Sequence, residues 1–202
     1  MTDIPNFLAH FYTQFPNLKE MPPWEITQDI TSLISMKILE LNPDDYTVTG
    51  GIAIHKTAVI EKGVILKEPL IISENCFVAS HAYLRGGVFL GKGTRIGPGC
   101  EIKSSIIGDH SATAHFNFIG DSLIGDHVNF EAGALIANHY NERSDKTIWI
   151  QINGIRTNTG VIKFGALVGD HSKIGANAVL SPGTILQRKS VVKRLELLEQ
   201  NN

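Results

Sequence analysis

The chain has 202 residues, 43% hydrophobic and 19% charged, with a net charge of −2. That balance fits a soluble protein of one large or two small domains and carries no basic footprint for nucleic acid. No apolar run approaches the roughly 18–20 residues of a membrane span, and the opening MTDIPNFLAH lacks the basic start of a signal peptide, so a cytoplasmic protein is expected.

Residues 1–50 are read as a helical cap. A short helix is predicted from Asn6 to Phe15. A longer one is predicted from Trp24 to Leu41, with Ile26, Ile30, Leu33, Ile34, Ile38 and Leu41 on one face. Pro22 and Pro23 precede that helix and Asn42-Pro43 ends it. Solenoids need their open ends covered, so these helices are expected over the first coil.

From residue 51 a strict six-residue beat takes over: Ile54, Ile60, Leu66, Ile72, Val78, Leu84, Leu90, Ile96 and Ile102. It slips to Ile107, Thr113 and Ile119, slips again to Ile124, Phe130 and Ile136, and returns at Val168, Ile174, Leu180 and Leu186. A hexapeptide period predicts an all-β solenoid, a parallel β-helix over residues 51–190. Three hexads make one triangular coil, glycines such as Gly91, Gly97 and Gly108 suit its corners, and about six coils would rise about 30 Å. Cys76 and Cys100 each follow a beat residue by four, an inward position for small residues, and are read as buried free thiols.

Residues 138–160 interrupt the beat. Their run KTIWIQINGIRTNT carries an Asn153-Gly154 hairpin signal, and so long an excursion is expected to be a substrate lid or an arm on a neighbouring subunit. The last stretch, 191–202, is predicted to close the solenoid as a short helix.

Arg85 and Lys103 lie 18 residues apart, each just after a beat residue. The period therefore stacks them on adjacent coils, where two cations suit a phosphate.

The strings LRGG, EIKSS, AHFNFIGDS, NFEAG and ANHYN, in that order, resemble the acetyltransferase half of the bifunctional glucosamine-1-phosphate acetyltransferase/N-acetylglucosamine-1-phosphate uridyltransferases. The later GVIKFGALVGDHSKIGANAVLSPGTIL continues the likeness in a form close to the archaeal-type sugar-phosphate enzymes, over about residues 82–186. The resemblance implies a left-handed β-helix. It also implies an acyltransferase that takes an acetyl or longer acyl group from a coenzyme A thioester to an amino sugar bearing phosphate or a nucleotide, for cell-envelope or glycan precursors. A homotrimer with sites between subunits is expected, with no metal. The uridyltransferase half has no counterpart in residues 1–50.

On this resemblance His115 is the general base. Arg85, Lys103, Phe118 and Asn129 fall on positions that hold the sugar phosphate, and Ala132, Asn138, His139 and Asp170 on positions facing acetyl-CoA. An imidazole titrating near 6.5 is largely neutral at pH 7 and can take the proton of an attacking amine or hydroxyl, and backbone N–H groups near Ala132-Gly133 could stabilise the oxyanion. Three departures stand out: Phe118 replaces the family's Tyr, EAGA (131–134) replaces GAGT, and NHYN (138–141) replaces NYDG. Two rival readings are a non-catalytic solenoid subunit and a γ-type carbonic anhydrase. The second would need His81, His110 and His115 to converge on zinc at about 2.0–2.1 Å.

Overall fold

The computed structural model describes residues 3–152 and 154–199. The protein is a left-handed parallel β-helix whose N-terminal segment lies along one side.

That segment begins with a 3-10 turn, Ile4–Asn6, followed by helices α1 (Phe11–Gln14), α2 (Pro23–Gln28) and α3 (Ile30–Leu39). The expected helix over 6–15 is thus reduced to short turns: its apolar residues are buried, but Phe7 O and Ala9 N are bonded to Asp170 instead of within a helix. The expected helix over 24–41 is two helices. Asp29 breaks it with φ −93° and ψ 10°, a residue type whose short polar side chain favours non-helical backbone.

Strand β1 (Tyr46–Thr49) pairs antiparallel with β2 (Ile52–His55) and closes the first edge of the sheet. Three flat faces follow. The first stacks β2, Leu70–Ile72, residues 88–90, 105–107, Leu123–Ile124, Ala166–Val168 and Thr184–Leu186 in parallel. The second is a seven-stranded sheet from Val59–Ile60 to Val191–Val192. The third runs from Ile65–Leu66 through residues 83–85, 101–103, Phe118–Gly120, Leu135–Ile136 and Val179–Leu180 to Leu197–Leu198. Seven coils therefore stand where the beat suggested six.

The difference lies at the C-terminus. Residues 191–199 form strands rather than the expected helix; residues 200–202 lie outside the described residues. The reason is the beat itself, which continues from Leu186 through Val192 and Leu198 and points both into the core. Backbone pairing to Lys173–Ile174 and Val179–Leu180 then outweighs the helical propensity of RLELLEQ.

The beat residues fill the prism. Ile72, Val78, Leu84, Ile96, Ile102, Ile119, Ile136 and Leu180 are all at 0% exposure. Cys76 and Cys100 sit among them as free thiols, and burial pushes the Cys76 thiol up to about 11. The corners need left-handed backbone. Along the second-to-third corner, Gly63, His81, Gly99, Phe116, Gly133, Asn177 and Leu195 all have φ between 53° and 88°, a conformation that favours glycine and asparagine.

The N-terminal segment does not cover the open end. It packs on the outward side of the first face, whose Ala53, Ile71, Phe89, Ile106, Leu123, Leu167 and Ile185 form a second core with Phe11, Phe15, Trp24, Ile30 and Ile34. An apolar outward column is the physical reason: left bare, it would expose one large residue per coil. Gly87 allows the approach, since a Cβ there would stand 2.9 Å from Ile30 Cγ2.

The insert folds back on the same face. Its hairpin pairs Trp149–Ile152 with Ile155–Asn158; Asn153 of the expected turn lies outside the described residues. Tyr140, Ile148, Ile150 and Phe164 join the second core, with Phe164 edge-to-face on Trp24 at 6.2 Å. The body of the insert is therefore neither a free lid nor a free arm.

Candidate functional site

The third-to-first corner gathers most of the polar chemistry. Arg85 and Lys103 are register neighbours on adjacent coils, and Gly120 follows on the next. The side chains then diverge. Arg85 folds back over the third face, donating Nε to Glu101 Oε1 at 2.7 Å with its guanidinium 5.6 Å from the Tyr83 ring. Lys103 Nζ meets Asp121 Oδ2 at 2.6 Å, with side chains 17% and 10% exposed. Each cation thus already holds a carboxylate of its own chain.

Asp121 organises this corner. Its carboxylate accepts from Lys103 and from the amide nitrogen of Asn138, and its backbone carbonyl accepts from Gly165 N at 2.8 Å. Asn138 opens the insert and its carbonyl accepts from Phe164 N at 3.0 Å, so one aspartate and one asparagine fasten both ends of the insert. Asn138 Oδ1 faces His139 Nδ1 at 3.1 Å. Phe118 lies on the outward third face beside them. A Cβ on Gly120 would stand 2.8 Å from the Phe118 ring and 3.0 Å from Asn138 Nδ2, so glycine keeps this corner closed.

His115 stands on the second-to-third corner, at the other edge of the third face. It is exposed, and its imidazole makes no hydrogen bond among the described residues. From His115 to Asp121 is six residues, roughly 15–20 Å along a strand. Beside it Phe116 is 75% exposed at φ 53°. Ala132 occupies the same corner one coil later.

The EAGA departure has a structural reason. Glu131 takes two bonds from Arg194, at 2.7 and 2.8 Å, and one from Ala176 N at 2.8 Å, and the Arg194 guanidinium holds its carboxyl down at about 2. Asn129 is not on the third face: it projects from the second, at a shallow groove of about 500 Å³ lined also by Lys173, Val191 and Arg194.

Asp170 lies on the first-to-second corner, remote from both groups. Its carboxylate accepts from Ala9 N and Asp126 N, both at 2.9 Å, and pairs with Arg188 at 3.3 Å. It pins the N-terminal segment to the solenoid. In the same corner His110, His127 and His171 stack at 5.1 and 4.9 Å between ring centroids. His110 is thus on a different corner from His81 and His115, so the three-histidine alternative has no common centre. Among the described residues no group of three or more His, Cys, Asp and Glu could hold a metal ion.

The structure therefore brings together Arg85, Lys103, Phe118, Asn138 and His139, places His115 and Ala132 across the same face, and separates Asn129 and Asp170 from both. Sequence reading missed Glu101 and Asp121. The period could have found them: Glu101 is two residues before Lys103 and so outward on the same strand, and Asp121 is 18 residues after Lys103.

A family model described as the GMPPB C-terminal domain matches residues 48–152. No curated protein matches the chain. Among solved structures it is similar to perosamine N-acetyltransferase from Caulobacter crescentus in complex with CoA and GDP-perosamine. Identity there is 18% over 43% of this chain and 48% of that one, with a TM-score of 0.24. It is similar to AntD, an N-acyltransferase from Bacillus cereus in complex with dTDP and 3-hydroxybutyryl-CoA, at 16% identity over 76% of this chain and 72% of that one, TM-score 0.39. It is also similar to Arabidopsis UDP-N-acetylglucosamine acyltransferase, at 18% identity over 73% and 57%, TM-score 0.38. The chain spans about half the length of the first of these. At such identities a likeness concerns the fold and not the chemistry. No helix among the described residues is long and apolar enough to cross a membrane.

Proposed function

The chain belongs to the family of the GMPPB C-terminal domain, matched over residues 48–152, and we propose that it is a coenzyme A-dependent acyltransferase. Its acceptor is an amino sugar carrying phosphate or a nucleotide, as in the acetyltransferase half of the bifunctional sugar-phosphate enzymes that its motifs resemble. The observation that carries this reading is the third face: an exposed imidazole, His115, with no hydrogen bond among the described residues, at one edge, and Arg85 and Lys103, register neighbours on adjacent coils, at the other.

The proposed chemistry is direct transfer. His115 takes a proton from the acceptor amine or hydroxyl as that atom attacks the thioester carbon. The new C–N or C–O bond forms, the C–S bond breaks, and the proton passes to the leaving thiolate. No Cys or Ser is needed as an acyl carrier, and both thiols are buried. Arg85 and Lys103 would hold the phosphate while keeping their bonds to Glu101 and Asp121, whose carboxylates would otherwise be left unpaired beside it. Phe118 would give the sugar an apolar floor. From the resemblance, Asn129 would take part from a neighbouring copy in a homotrimer with sites between subunits, Ala132 would stand with His115 at its corner, and Asn138 would face the thioester; Asp170 could serve acetyl-CoA only by giving up its hold on the N-terminal segment.

Release of coenzyme A thiol from acetyl-CoA, against a panel of amino-sugar phosphates and nucleotide sugars, tests this. Acceptor-dependent release is expected, falling about 10²–10⁴-fold in His115→Ala while the circular dichroism stays native. Equal rates in parent and variant would overturn His115 as the base.

A second reading is favoured by the pairing of both cations within the chain: a solenoid subunit without catalytic activity. It predicts no shift of the melting temperature with coenzyme A, whereas the acyltransferase reading predicts a rise.

A further inference from the structure

The polar chain at the third-to-first corner settles the direction of every hydrogen bond in it. A carboxylate only accepts. Asp121 therefore takes a hydrogen from Asn138 Nδ2, as it does from Lys103 Nζ. With its amide nitrogen committed, Asn138 presents its oxygen to His139 Nδ1 at 3.1 Å. An amide oxygen also only accepts, so Nδ1 must carry the hydrogen, and in the neutral imidazole Nε2 is left with its lone pair outward. Asp121 and Asn138 are each 7% exposed, whereas His139 is exposed. A buried relay thus fixes the tautomer of an exposed ring, the arrangement by which a carboxylate orients a working imidazole. Among the described residues nothing orients His115 in this way.

We propose that His139, which the resemblance sets towards acetyl-CoA, is instead a specificity-determining residue, whose Nε2 accepts a hydrogen bond from a hydroxyl or amino group of the acceptor bound at the Lys103 corner, and that Asp121 is the residue positioning it through Asn138. This rests on the acyl-transfer reading for the identity of the ligand, but not for the relay. The corner then discriminates by type of contact: Lys103 and Arg85 attract anionic oxygen, and His139 requires a donor. An acceptor whose donor is missing would leave Nε2 facing a group that cannot pair with it.

Two readouts test it. Long-range proton–nitrogen correlation spectra of the free protein near pH 8, with no ligand present, are expected to show His139 protonated at Nδ1 alone. In Asp121→Asn, whose amide can donate as well as accept, Asn138 is free to turn over and a mixture of tautomers is expected. A parent His139 protonated at Nε2 overturns the relay, as does an unchanged tautomer in a folded Asp121→Asn. In the thiol-release assay, His139→Phe is expected to raise the acceptor KM about tenfold with kcat within about threefold, and His139→Gln, whose amide oxygen can accept, to recover most of it. An unchanged KM in His139→Phe overturns the ligand role. If no acceptor supports release in the parent, the acyl-transfer reading fails and takes the ligand role with it, while the tautomer measured on the free protein still decides the relay.

Discussion

Glu131 opens the EAGA corner, where its carboxylate accepts from Arg194 and from the backbone N–H of Ala176, joining that corner to the two coils beyond. Its carboxyl falls from 4.5 to about 2, first because of the Arg194 hydrogen bonds and then the Ala176 N–H. A carboxyl with a depressed folded value binds its proton more readily in the unfolded chain. Its stabilisation is therefore full above pH 4.5 and disappears as pH falls towards 2. Urea midpoints measured from pH 6 to pH 2 should drop more steeply for the parent than for Glu131→Gln, and parallel curves would show that the pair contributes nothing. Only part of this site was legible in the sequence. His115, Arg85 and Lys103 announce themselves through motif and period, and the period also sets Glu101 and Asp121 beside the two cations, but not that they pair with them, nor that Arg194 reaches Glu131. Hydrogen bonding across coils depends on which way a side chain leans, and spacing says nothing about lean.

Elements were legible where one force dominated. Inward residues obey the six-residue beat because each hexad sends one large apolar side chain, with a second and generally smaller one two residues before it, into the prism, so strand positions followed from it almost to the residue. Yet Val192 and Leu198 keep the same beat, and the helix-forming residues around them masked it. The N-terminal segment was harder, since its apolar residues answer to a surface that is itself distant in sequence: the outward column of the first face. What holds it there includes Asp170, 2% exposed, which bonds Ala9 N and carries Phe7 O on its own N–H at 2.9 Å. Asp170→Ala removes the acceptor from the part-buried N–H groups of Ala9 and Asp126, at about 0.5–1.5 kcal/mol for each hydrogen bond lost. The expected result is a lower urea midpoint with faster amide exchange at Ala9 and Asp126. Unchanged exchange at both would mean that the apolar contacts alone dock the segment. If instead Asp170 served a thioester, the variant would alter KM for acetyl-CoA without touching that exchange.

Across the whole molecule the three faces are not equivalent, and this bears on assembly. The first is covered by the chain's own N-terminal segment and insert. The second presents Val59, Phe77, Arg95, Ala112, Asn129, Lys173 and Val191 outward, a ladder that is polar or charged at three of its seven steps. The third presents Ile65, Tyr83, Glu101, Phe118, Leu135, Val179 and Leu197, one step of a mostly apolar ladder per coil, with Ile65 and Leu197 more than half exposed. Bare apolar ladders of this kind mark contact surfaces, so the third face is the one the proposed trimer would use. Cyclic contacts are heterologous: one patch meets a different patch on the next copy. The two edges of the third face carry His115 and the Arg85–Lys103 pair, separated by a full face within one chain. A heterologous contact can set the His115 edge of one copy against the cation edge of the next, which a single chain cannot do. Light scattering is therefore expected to give three chains for the parent. Leu135→Lys, a charge set into the middle of the ladder where the side chain is only half-buried, should give single chains with native circular dichroism and no thiol release. A parent that runs as a monomer at micromolar concentration with full activity would overturn the trimer and require the acceptor to span the third face of one chain.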